Sequence, residues 1–334
     1  MRGLKGLLES NPRLRVFIYA GKGGLGKTTL SAATSIKLSS MGKKTLVFST
    51  DPQASLSDVF EQNVFGKGEV KLAENLYVME IDADKKINEY VASIKKKIID
   101  MYKLDSLPAD VEEYIDSAAA EPAMYESAVY DAMVDVVSEG KYDYYVFDMP
   151  PFGHGIRMIA IADVISKWVD KITELRKQAY EYGRVAASLK RQKLTYEDEI
   201  LQELEYIRGR ILKFRDIIMN TETTAFMMVM TPERMTILDT EKALEMFQSL
   251  GLRLTGIVVN QVYPPDLAKR SDAPLYLKKK VEEQRKYIAE IAEKFGKYVV
   301  AVVPMLNREP KGLDTLRLVA EELWSPSKKL EEYI

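Results

Sequence analysis

"RVFIYAGKGGLGKTTLSAA" (residues 15–33) contains three kinds of sequence in succession. A short apolar run ends in alanine, a loop holding four glycines follows, and a stretch rich in threonine, serine and alanine comes last. This order reads as strand, phosphate-binding loop and helix. The spacing Gly21-x4-Gly26-Lys27-Thr28 fits the loop that cradles nucleotide phosphates, in the setting such a loop requires. Glycine permits positive φ and lets backbone N–H groups approach phosphate oxygens. The helix that begins near Thr28 turns the positive end of its dipole toward them. The candidate binding set is Gly21, Lys22, Gly23, Gly24, Leu25, Gly26, Lys27, Thr28 and Thr29. Lys27 is placed to bridge β- and γ-phosphates, and the Thr28 hydroxyl to ligate Mg²⁺. The plain alternative, a structural glycine turn, does not explain the lysine and threonine that follow it.

Lys22 is surplus to that pattern. It is either a solvated surface lysine or a second cation for the charge that builds on a γ-phosphate in the transition state. From the start of the loop it does not fold back onto its own γ-phosphate. It can reach one bound by a facing subunit.

Outward from the loop, other apolar runs occur at 44–51, 76–81, 143–150, 225–230, 255–261 and 298–304. Most are continuously apolar, as strands buried on both faces of a parallel sheet are. Helix-like segments at 28–41, 236–250 and 278–295 alternate with them. The expected fold is α/β, a doubly wound and mostly parallel sheet. Residues 83–141 and 155–222 break the rhythm with long, charged, helix-like sequence. Val91, Ile94, Ile98 and Met101 recur at helical spacing, as do Met124, Ala128, Ala132 and Val136. So do Met158, Ile161, Ile165 and Trp168, and Ile200, Leu204, Ile207, Ile211 and Phe214. The expected organisation is one domain over residues 1–334, with a helical subdomain made by these two insertions.

Composition excludes several functions. The net charge is −2, from 48 basic and 50 acidic side chains, which gives no reason to expect nucleic acid as a partner. There is no cysteine, so disulfides, thiolate zinc sites, thiolate-held iron–sulfur clusters and cysteine nucleophiles are all excluded. No apolar run approaches the roughly 18–20 residues of a membrane span, and the N-terminus does not read as a signal peptide. A cytoplasmic protein is expected.

Two further carboxylates end apolar runs, Asp51 in "FSTDPQASLSDVF" (48–60) and Asp148 in "FDMPPFGHGIRM" (147–158). Either alone could be a helix cap; two of them beside a phosphate loop argue for a nucleotide site. The loop itself resembles the deviant phosphate-loop signature of dimeric ATPases of the partition, division-site and nitrogenase-iron-protein class. Those two motifs, with "VVNQ" (258–261), "EPAMYESAVYDAM" and "VPMLNREPKGLDTL", resemble the arsenite-pump and tail-anchored-protein-targeting ATPase family over most of residues 14–320. The second motif departs from the family's usual D-T-A-P-T-G-H-T.

The resemblance implies a homodimeric, Mg²⁺-dependent ATP hydrolase. In it Asp51 orients the attacking water and Asp148 holds Mg²⁺ directly or through water. His154, the only histidine, relays nucleotide state, and Asn260 meets the adenine edge. Glu233, in "TPERM", contacts the nucleoside, across the dimer in some arrangements. Lys22 and Lys27 join Asp51 as the catalytic set. The absence of cysteine bears on the family's branches. Arsenite-pump members bind metalloid through thiols, so that function is disfavoured. The targeting branch often clamps its dimer with a zinc site. Pro274 and Leu277 stand near the positions of its cysteines, so no zinc is expected here.

Two functions remain. One is a targeting ATPase that shields the transmembrane helix of a tail-anchored client, with a membrane receptor as a further partner. The other is a partition- or positioning-type ATPase switch. A basic amphipathic C-terminal helix would favour the second, but "SPSKKLEEYI" is short and mixed in charge.

Overall fold

The computed structural model describes residues 1–50, 55–149, 164, 166–175, 177–178, 181 and 199–334. Eight strands form one sheet. They are β1 (Val16–Ala20), β2 (Thr45–Ser49), β3 (Val70–Ala73), β4 (Leu76–Glu80), β5 (Tyr144–Asp148), β6 (Thr224–Met230), β7 (Gly256–Val262) and β8 (Val299–Pro304). Their order is β3-β4-β2-β5-β1-β6-β7-β8. Every neighbouring pair is parallel except β3 with β4. The doubly wound, mostly parallel α/β sheet read from the sequence is the fold observed, and all seven apolar runs are strands. The additional strand, β3, is a four-residue antiparallel edge.

The continuously apolar runs divide between two cores by simple alternation. Phe17 and Tyr19 of β1 face one side, Val16 and Ile18 the other. Ala225, Met227 and Val229 of β6 join the first group, Phe226, Met228 and Met230 the second. Parallel strands sandwiched in this way must be apolar on both faces, which is why no alternation is visible in the sequence.

The first face is covered by α1 (Gly3–Ser10), α2 (Lys27–Ser40), α3 (Ser55–Phe60) and the last long helix, Gly312–Trp324. On the second face the chain forms α4 (Ala83–Tyr102), α5 (Ala109–Ala119), α6 (Pro122–Ser138), α7 (Glu199–Met219), α8 (Arg234–Ser249), the short α9 (Asp266–Lys269) and α10 (Leu275–Phe295). Val129, Ala132, Met133 and Val136 of α6 lie in the core beside the sheet, and so do Ile211, Phe214 and Ile218 of α7. The second half of the Met124–Val136 stripe, Ala132 and Val136, therefore packs inward, and Met133 beside it is fully buried. The outer helices are shallower, and α5 buries no residue. Arg210 of α7 ties the layer together, reaching Asp131 at 2.8 Å and Asp135 at 2.5 Å on α6. Burial alone would raise the Asp135 pKa; hydrogen bonds from Arg210 and Lys86 outweigh it and hold this carboxyl below its ordinary value.

Within the second insertion, residues 166–175 are helical beside α7. Arg208 pairs with Asp170 at 2.5 Å, and Lys177 with Glu205 at 3.7 Å. Met158, Ile161 and Ile165 lie outside the described residues.

Candidate nucleotide site

The sheet brings the C-terminal ends of β1, β5, β6 and β7 together at its centre, where ligands of open α/β sheets bind. The loop 21–26 leaves β1 and enters α2. Tyr19 of β1 and Thr34 of α2 share a hydroxyl hydrogen bond of 2.7 Å below it, fixing strand to helix. Burial pushes the Tyr19 phenol up, against the lowering effect of that bond.

Three loop glycines have positive φ: Gly21 (155°), Gly24 (80°) and Gly26 (89°). Gly26 is the telling one. It is the N-cap of α2, and a Cβ there would stand 2.4 Å from Asn260 Nδ2. No side chain caps this helix. The N–H groups of its first turn are therefore left for an anion.

Lys27 opens α2 and is buried to 8% exposure. Its ammonium donates to the Lys22 carbonyl at 3.1 Å, so it lies across the loop's concave side. The Thr28 hydroxyl donates to Asp148 Oδ2 at 2.7 Å, and Asp148 is 2% exposed at the end of β5. A hydroxyl and a buried carboxylate in contact are the hard oxygen donors that Mg²⁺ takes, so these residues fit that ion. Lys22 points elsewhere. Its side chain is 53% exposed and pairs with Asp239 of α8 at 2.9 Å.

Two amides support the loop from β7. Asn260 Nδ2 donates to the Leu25 carbonyl at 2.8 Å, and Gln261 Nε2 donates to the Gly24 carbonyl at 3.3 Å. Adjacent strand residues normally point to opposite faces. Here Gln261 has φ 57°, and the pairing of β7 with β8 shifts register between Val259 and Val262. This local irregularity turns both amides the same way. Asn260 also lines a cavity of ≈ 350 Å³ closed by Thr29, Pro304, Leu306 and Arg308. The cavity lies beside the phosphate loop and combines apolar walls with an amide, as a base pocket does.

Glu233 is exposed at the N-cap of α8, whose second turn carries Asp239. Gly23 and Thr29 complete the loop as read from the sequence. Asp51 and His154 lie outside the described residues. Asp239 has no motif signal, and Gln261, although it closes "VVNQ", was given no role by the sequence. Gln261 is recognised only by its left-handed backbone, and Asp239 only by the ion pair that joins α8 to the loop.

The match to known proteins covers the same span. The model of the anion-transporting ATPase family matches residues 14–325. A putative arsenical pump-driving ATPase 2 of Aquifex aeolicus is 31% identical, over 91% of this chain and 97% of its own length. ATPase GET3 of Chaetomium globosum is 30% identical over 94% of this chain and 91% of its own. An ATPase ASNA1 homolog of Paramecium tetraurelia is 28% identical over 97% of both. With a phosphate loop, a strand-end aspartate on its threonine and a base-sized cavity in one place, the chain belongs to the anion-transporting ATPase family.

Proposed function

We propose that this ATPase is a Mg²⁺-dependent homodimer whose nucleotide cycle captures and releases the transmembrane helix of tail-anchored proteins. ATP lies along the loop, its phosphates on the N–H groups of 21–29 and on Lys27, its base in the Asn260 cavity. Thr28 and Asp148 would hold Mg²⁺, which would supply positive charge against that of the phosphates. Asp51 orients the attacking water. Lys22 serves the partner's γ-phosphate, and Glu233 reaches the nucleoside across the same interface. His154 passes the state of that phosphate to the second insertion.

The observation that carries the client reading is an exposed apolar stripe on that insertion. Val164, Trp168 and Leu175 are 66%, 63% and 53% exposed. Within the helical residues 166–175, Trp168 and Leu175 fall about 20° apart at 100° per residue. Large apolar side chains gathered on one exposed face mark an interaction surface. Tyr206, on the adjoining α7, is exposed as well. Trp168→Asp tests the assignment. It should leave the fold and ATP turnover intact and weaken retention of a tail-anchored segment at least tenfold, because the client would bury a charge. Retention equal to wild type would show that the client does not lie on this stripe.

A further inference from the structure

We infer that Tyr125 is a positioning residue through which the helical insertion sets the rate of ATP hydrolysis. The inference rests on the assignment of Asp51 as the residue that orients water. Its basis is how the two flanks of that residue are held.

On the N-terminal side, β2 ends at Ser49, and the Ser49 carbonyl accepts the Ile81 N–H at 2.9 Å. The next carbonyl, that of Thr50, accepts the Tyr125 hydroxyl at 2.6 Å. Thr50 is fully buried and is followed in the chain by Asp51. On the C-terminal side, α3 begins at Ser55. Glu80, at the end of β4 and 1% exposed, receives the Leu56 N–H at 2.5 Å, the Ser57 N–H at 3.2 Å and the Ser57 hydroxyl at 2.5 Å. A buried carboxyl that meets three donors at the start of a helix fixes that start. Its anchor is the sheet itself.

The two flanks differ in what holds them. Glu80 belongs to a strand, whereas Tyr125 stands in the first turn of α6, a helix of the insertion. Its ring packs at the edge of the core and its hydroxyl reaches across to the strand end. Further along, α6 carries the Asp131 and Asp135 that Arg210 of α7 grips. A displacement of α6 and α7 is thus passed to the carbonyl preceding Asp51 through the Tyr125 hydrogen bond. Misplacing a water-orienting group by about 1 Å can cost up to a hundredfold in rate. In the proposed function ATP is bound by residues 21–29, the Asn260 cavity and Glu233, and the Tyr125 hydroxyl's bond to Thr50 is to none of these.

Tyr125→Phe removes the hydroxyl and keeps the ring. The expected result is a fall in kcat of roughly tenfold, with KM for ATP and affinity for a non-hydrolysable ATP analogue within about twofold of wild type. The thermal midpoint is measured alongside. In an Asp51→Asn background the same change should have no further effect on residual turnover, since both act on one step. Ser57→Ala, which loosens the opposite flank, should give the same fall in kcat alone.

Wild-type kcat in Tyr125→Phe, with Asp51→Asn inactive, overturns the inference and leaves the Asp51 assignment standing. An additive loss in the Asp51→Asn background, or a KM that rises with kcat unchanged, overturns it as well. Turnover at the wild-type rate in Asp51→Asn would instead refute the Asp51 assignment, and the positioning role with it.

Discussion

Two lysines five residues apart in one loop have opposite environments, and the difference bears on the chemistry. Lys27 is buried and lies across the loop; Lys22 is half exposed and rests on Asp239. An exposed pair of that kind is worth about 1 kcal/mol or less, so it is no obstacle to the proposed role of Lys22 toward a phosphate on a facing subunit. Lys22→Ala should bind ATP normally and lose turnover by roughly a thousandfold, the scale of a missing trans cation. Mixed in equal amounts with Asp51→Asn, it should recover roughly a quarter of wild-type turnover. Half the dimers are then mixed, and each has one intact composite site. Normal hydrolysis by Lys22→Ala as a dilute monomer would contradict the trans role. The loop's chemistry was legible because glycine, lysine and threonine at fixed spacing have few other uses. Asp239 was not legible, because an acid on a helix face has many.

At the scale of elements, apolar stripes have to be sorted into those that pack and those that are displayed. Periodicity identifies a face without saying what covers it. Ala132 and Val136 on α6 and Ile211 and Phe214 on α7 turn out to lie in the core beside the sheet, while Trp168 stands outside. Met133→Asp should therefore destabilise the fold by several kcal/mol in urea unfolding, through a charge buried in the core. Trp168→Asp should shift the same transition little. Comparable stability in the two variants would mean that α6 is not part of the core. The seven long strands were readable as apolar runs bounded by turns and charges. β3 was not, since three half-buried residues and the exposed Lys71 have too little pattern to register. The kink at Gln261, which aims Asn260 and Gln261 at the loop together, also has no signature in residue type.

For the whole molecule, topology places the phosphate loop at the centre of the sheet, with one helical layer on each face. The layer carrying α6, α7 and the 166–175 helix is the one that meets the site's rim, through Tyr125 at the end of β2. A nucleotide can shift such a layer only by the difference in its affinity for two arrangements. In the proposed cycle that difference arises when ATP closes the dimer and draws two apolar stripes together. The direct measurement is retention of a tail-anchored transmembrane segment by the purified wild-type protein, followed by size-exclusion chromatography. It is run once with a non-hydrolysable ATP analogue and Mg²⁺, and once with ADP. The segment should elute with a dimer in the first case and be released in the second, with an affinity ratio on the order of a hundredfold. A nucleotide-loaded protein that never holds the segment in solution would contradict the carrier function and leave a positioning-type ATPase switch in its place.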